Sequence, residues 1–216
     1  MEAYLSPTYF IDSDHPDIVQ FSNDNVGESD DPIQQMVNLY YAVRDSISYD
    51  PYHVDLSNEA LKASAVLKRG SGFCVEKANL LAASARAIGI PSRLGLADVK
   101  NHLGAERLIE ILRSDLFVCH GYTELYLGSQ WVKATPAFNE GLCKILQVKP
   151  LPFNGLEDSV FQEFDGPGER KFMEYVKEHG HFSDMPHEFM RQILKDAYPH
   201  LFENGGVISS DSIIKL

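Results

Sequence analysis

Arg69-Gly70-Ser71-Gly72-Phe73-Cys74-Val75-Glu76-Lys77-Ala78 is the stretch that decides how this chain folds. Two glycines lead into a cysteine, and a helical pattern runs from that cysteine to the stop at Gly89-Ile90-Pro91. Ala78, Leu81, Ala85 and Ile88 share one helical face. Alanines at 78, 82, 83, 85 and 87 call for close packing against something broad, and a sheet fits. A thiol in the first turn of a helix lies near unpaired backbone N–H groups and the positive end of the macrodipole. Both favour the thiolate, so Cys74 is where chemistry is expected.

Downstream, residues 92–99 predict a strand and 103–113 a short helix inserted between strands. Leu116–Leu127 is β-rich, Gly128-Ser129 marks a turn, and Gln130–Thr135 returns until Pro136 ends the pairing. A two-residue turn pairs Leu127 with Gln130, Tyr126 with Trp131, Glu124 with Lys133 and Tyr122 with Thr135. His120, Tyr122, Trp131 and Thr135 then share one face, with the Thr135 hydroxyl diagonal to the imidazole and placed to accept its hydrogen bond. The opposed Glu124 and Lys133 predict a cross-strand ion pair. Alternation sends Cys119 to the opposite face, into the core, and Cys143 is taken as structural.

Upstream, Asp31-Pro32 starts an amphipathic helix over 32–47, and 57–68 predicts a shorter helix closed by Gly70. Beyond about residue 150 the chain is loop-rich, with a final helix over roughly 186–197. The expected division is an N-terminal extension over 1–31 packed on the core, a core over 32–148 and a C-terminal extension over 149–216.

With 216 residues, 44% of them hydrophobic, the chain is long and apolar enough to bury a full core. Its net charge of −12 argues against nucleic acid and anionic membrane surfaces as partners. No run approaches the roughly 20 apolar residues that span a bilayer. Met1-Glu2-Ala3-Tyr4-Leu5 does not open a secretory signal. Three cysteines without paired spacing suggest neither a disulfide framework nor a zinc site, which fits a reducing, cytoplasmic setting. His179, His181 and His187 cluster without companion cysteine or acidic ligands, so no metal and no cofactor is expected.

The succession Gly72-Phe73-Cys74, Arg86-Ala87-Ile88-Gly89-Ile90-Pro91-Ser92-Arg93, His120-Gly121-Tyr122-Thr123-Glu124-Leu125-Tyr126, and Trp131 with Thr135-Pro136 resembles the transglutaminase-like superfamily. The resemblance implies an α+β, papain/transglutaminase-like core in which a cysteine-bearing helix packs on an antiparallel sheet. It aligns Cys74 with the nucleophile and His120 with the general base. The family usually places an aspartate just before the proline that follows the tryptophan strand, and Thr135 stands there instead. A hydroxyl can orient an imidazole but cannot stabilise an imidazolium by charge. Asn139 is an alternative orienting group, while Trp131 and Tyr122 are candidate oxyanion or pocket residues. The backbone N–H of Cys74 is the better oxyanion donor. The implied activity is thiol-dependent acyl transfer, preferably hydrolysis of an amide or peptide bond in a peptide, protein or small amide. Its pocket would be formed in part by Tyr49-Asp50-Pro51-Tyr52 and the insert at 101–114. A binding or scaffolding module with weak or lost catalysis is the competing expectation, favoured by Thr135.

Overall fold

Helix α4 (Cys74–Ala87) runs through the middle of the protein, a computed structural model that describes residues 1–101, 106–160, 173–203, 207–209 and 212–215. Every α4 residue from Cys74 to Arg86 is buried, which its small side chains make possible. On one side it packs against strands β4 (Ser92–Asn101) and β5 (Leu116–Leu127). Thr123 Oγ1 donates to the Ala78 carbonyl at 2.7 Å, tying the helix to the sheet. The approach is closest at Gly121, where an added Cβ would lie 2.5 Å from Val75 Cα.

The sheet has four antiparallel strands in the order β6-β5-β4-β7, with β6 at Gln130–Ala134 and β7 at Met173–Phe182. Leu127 pairs with Gln130, Tyr126 with Trp131 and Glu124 with Lys133, the register a two-residue turn demands. The ladder ends at Thr123 and Ala134, however. Thr135 turns away to donate its N–H to the Ser159 carbonyl at 2.9 Å, so it does not pair with Tyr122. The predicted Glu124–Lys133 ion pair is also not made. Glu124 bonds Arg93 on β4, and Lys133 bonds Glu178 on β7 at 2.5 Å, because each finds its opposite charge on another strand. Strand β7 lies within the region expected to be loop-rich; its lysine, glutamates and histidines hide an edge strand that pairs with β4 along its length.

Across α4 from the sheet lie α1 (Pro16–Asn25) and α2 (Pro32–Ser46). Asp31 Oδ1 accepts the Ile33 N–H at 3.1 Å to cap α2, with Pro32 in its first turn. Ile11, Ile18, Met36, Leu39, Tyr40 and Val43 form one cluster with Ala82, Ala83 and Ala85 of α4 and with Leu125. Full burial of each aliphatic side chain contributes about 1.5–3 kcal/mol. The short parallel strands β1 (Ser48–Tyr49) and β3 (Ser71–Gly72) fix the chain just before Cys74. Between them come β2 (His53–Asp55) and α3 (Ala63–Arg69). Helix α3 is shorter than 57–68 because residues after Ser57 form a turn and Lys62 is extended.

The remaining helices gather at the Cys74 end: α5 (Glu106–Leu112), α6 (Glu140–Leu146), α7 (His187–Ala197) and α8 (Pro199–Glu203). Of the insert at 101–114, residues 102–105 lie outside the described residues. Strands β8 (Val207–Ser209) and β9 (Ser212–Lys215) join β2 in a second, three-stranded sheet. Among the described residues, no helix is long and apolar enough to cross a membrane.

Candidate active site

Cys74 is 8% exposed, in the first turn of α4. Phe73 precedes it in extended conformation and donates its N–H to Glu76 Oε2 at 3.0 Å, while Glu76 Oε1 takes Arg69 Nη2 at 2.6 Å. The backbone N–H groups of Gly121, Val75 and Cys74 itself favour negative charge on the sulfur. Burial acts the other way and is stronger, and the Glu76 carboxylate adds to it, so the thiol is pushed up to about 11. The thiolate expected from the helix terminus is therefore not the resting state at neutral pH, because desolvation outweighs the helix-end field.

His120 lies on β5 beside an irregularity in the sheet. Ala97 pairs with His120 but Val99 pairs with Phe117, so Val118 and Cys119 oppose the single residue Asp98. Cys119 takes a φ of 58°, and Asp98 Oδ1 holds its N–H at 3.1 Å while bonding His179 Nε2 at 2.7 Å. This bulge breaks strand alternation. Cys119, expected on the opposite face, lines the same pocket as His120 and Cys74. Spacing alone does not single out Asp98 and His179 as the residues that shape this site. A carboxylate inside the apolar run Leu94-Gly95-Leu96-Ala97-Asp98-Val99 was the available signal. His120 is 6% exposed and burial pushes it down to about 4, leaving a neutral imidazole.

Thr135 is near His120 but does not orient it. Among the described residues, its Oγ1 and His120 Nε2 are both buried without a hydrogen-bond partner, and both residues line a void of about 10 Å³. The expected hydrogen bond is lost because Thr135 has left the β5 ladder. Its carbonyl instead accepts the Tyr40 hydroxyl at 3.1 Å. Asn139 Oδ1 accepts the Tyr49 N–H at 3.3 Å and so ties down the β1 loop. Trp131 lies against Arg93, whose guanidinium is 4.0 Å from a ring centroid, and against Tyr4 and Tyr126. Tyr122 sits over Gly95 and beside Tyr175. Neither Trp131 nor Tyr122 is among the described residues lining the pocket.

The pocket holds about 270 Å³. Cys74, Cys119 and His120 form its reactive end, with Phe73 and Phe138 beside them. Tyr49, Pro51 and Tyr52 contribute one wall, and Leu108 and Leu112 of α5 contribute another. Among the described residues, no group of three or more His, Cys, Asp or Glu side chains is arranged to hold a metal ion.

An α+β fold with a cysteine at the start of a central helix, packed on an antiparallel sheet that carries a histidine, defines a papain-like class of architecture. The family model of the transglutaminase-like superfamily matches residues 19–136, and the chain belongs to that superfamily. One solved structure similar to it is described as "The Crystal Structure of a Putative Cysteine Protease from Cytophaga hutchinsonii". The identity is 16% and the TM-score 0.47; the match covers 82% of this chain and 53% of the other, so this chain spans about half of that one. No curated protein matches.

Proposed function

We propose that the protein is a thiol-dependent acyl-transfer enzyme that hydrolyses an amide or peptide bond through Cys74 and His120. The observation that carries this is that Cys74, at the start of α4, and His120 line one pocket. In the first half-reaction the S–H proton passes to the neutral imidazole as sulfur attacks the carbonyl carbon. The C–S bond forms, the C–N bond breaks, and the amine leaves with the proton from His120. In the second, water gives its proton to His120 and its oxygen to the acyl carbon. The C–S bond breaks, and the acid leaves as the thiol regains its proton. The N–H groups of Gly121, Val75 and Cys74 support the negative charge that forms on sulfur and carbonyl oxygen. Thr135 adds no charge to this cycle, so the rate rests on positioning.

A binding or scaffolding module with weak catalysis is the second reading. It is favoured by the neutral thiol and by His120 Nε2 having no partner behind it. Rates of Cys74 alkylation by iodoacetamide across pH, with and without His120→Ala, separate the two. Loss of rate in the variant supports the enzyme, and an unchanged rate supports the module.

A further inference from the structure

The reactive end of the pocket fixes what an occupant must carry there, a carbonyl carbon within reach of sulfur. The rest of the cavity constrains what that carbonyl is attached to. Beyond the two thiols and His120, the described lining residues carry no ionisable group except tyrosine, and no charged side chain at all. Leu108 and Leu112 of α5, Met190 and Leu194 of α7, and Leu201 and Phe202 of α8 line the same cavity, and Met190 and Leu194 pack in one apolar cluster with Cys74. A carboxylate, an ammonium or a primary amide carried into that space would lose its hydration and, among the described lining residues, meet no charged side chain and few polar groups beyond tyrosine hydroxyls, at a cost that apolar groups escape. An aliphatic group gains by leaving water.

We propose that the pocket is an acyl-chain site, and that the group transferred through Cys74 is an uncharged, medium-length acyl chain. This rests on the reading of Cys74 as nucleophile. On the scale of an apolar cavity of about 150 Å³ that binds benzene, a volume of about 270 Å³ takes roughly ten carbon-sized groups. The bond changes are those of the hydrolytic cycle. The acyl carbon exchanges its bond to the leaving nitrogen or oxygen for one to sulfur, then exchanges sulfur for water oxygen, and the chain is a passenger throughout.

The test has a catalytic arm and a binding arm. In the first, kcat/KM is measured for p-nitrophenyl esters from acetyl to dodecanoyl. Each added methylene raises it about fourfold until the cavity is full, near eight to ten carbons, after which it falls. Leu112→Trp, with Leu194→Trp as a second blocking variant, moves that optimum to shorter chains. In the second arm, calorimetry on Cys74→Ala measures decanamide against butanamide, and decanamide binds at least a hundredfold more tightly. Tight decanamide binding together with unreactive esters would refute Cys74 as nucleophile while leaving the chain site standing. A flat profile, a preference for a charged glutaryl or a phenylacetyl ester over decanoyl, or equal binding of the two amides would overturn the inference.

Discussion

His120 Nε2 and Thr135 Oγ1 are both buried, both lack a hydrogen-bond partner among the described residues, and both residues line one void of about 10 Å³. The base of the site thus has a polar neighbour that neither orients it nor charges it. Replacing Thr135 with valine removes an unsatisfied buried hydroxyl, so Thr135→Val should gain about 1 kcal/mol in denaturant unfolding, with Cys74 alkylation unchanged. Thr135→Asp supplies the missing carboxylate. It should raise the pKa of His120 by about 1–3 units by histidine NMR, and speed alkylation at pH 7 at least tenfold.

Burial of titratable groups makes stability pH-dependent in two directions. His120 is pushed down to about 4 from 6.5, so below pH 6.5 the unfolded chain binds a proton that the folded chain refuses. His120 thus contributes about 3 kcal/mol that is lost as pH drops from 6.5 to 4, while Glu76, raised by burial from 4.5 to about 7, opposes it, because between these values the folded carboxyl holds a proton that the unfolded one gives up. Lys77, whose Nζ donates to the carbonyls of Arg44 at 2.8 Å and Ile47 at 2.5 Å, is pushed down to about 7 from 10.5. It makes stability rise from pH 7 toward 10.5. Cys74, raised from 9.0 to about 11, opposes that rise above pH 9 because the unfolded thiol loses its proton first. Urea unfolding from pH 4 to 10 should show a maximum near pH 9. Below pH 6.5 His120 and Glu76 offset each other, so His120→Gln should leave stability falling as pH rises from 4.5 to 7, and Lys77→Met should flatten the limb between 7 and 9.

Gly121 allows α4 to touch β5. Its absent Cβ would lie 2.5 Å from Val75 Cα and 3.0 Å from Val75 N. Because these are backbone atoms, Gly121→Ala should cost about 2–3 kcal/mol by the same unfolding assay. It should also slow Cys74 alkylation, since the Gly121 N–H that faces the sulfur moves with the strand.

Asp98 holds the bulge that turns Cys119 and His120 into the pocket. Asp98→Ala leaves the Cys119 N–H and His179 Nε2 unpaired in a buried place and frees a backbone held at a φ of 58°. A loss of about 2–3 kcal/mol is expected. A fall in kcat larger than the rise in KM should accompany it, because the displaced segment carries His120 while most of the pocket lining comes from other elements. Asp98→Asn, which keeps an acceptor for the Cys119 N–H, should recover most of both.

Local pattern in the sequence reveals the elements but not the places where tertiary contacts override it. The cysteine helix, the hairpin register from Leu127 to Glu124 and the starting cap at Asp31 follow from spacing, turn chemistry and capping. The orientation of Cys119 does not, because a single inserted residue reverses every later face. Thr135 leaves the ladder for Ser159, a residue distant in sequence. The ionisation of Cys74 depends on how completely the fold buries it, which no local motif encodes.

Trapping the acyl-enzyme tests the central claim most directly. Protein mixed with p-nitrophenyl decanoate, quenched in acid and digested, should carry the acyl group on the peptide containing Cys74. The adduct should be absent in Cys74→Ala and should form about a hundredfold more slowly in His120→Ala. No adduct on Cys74, or one that forms at the same rate without His120, would contradict the account.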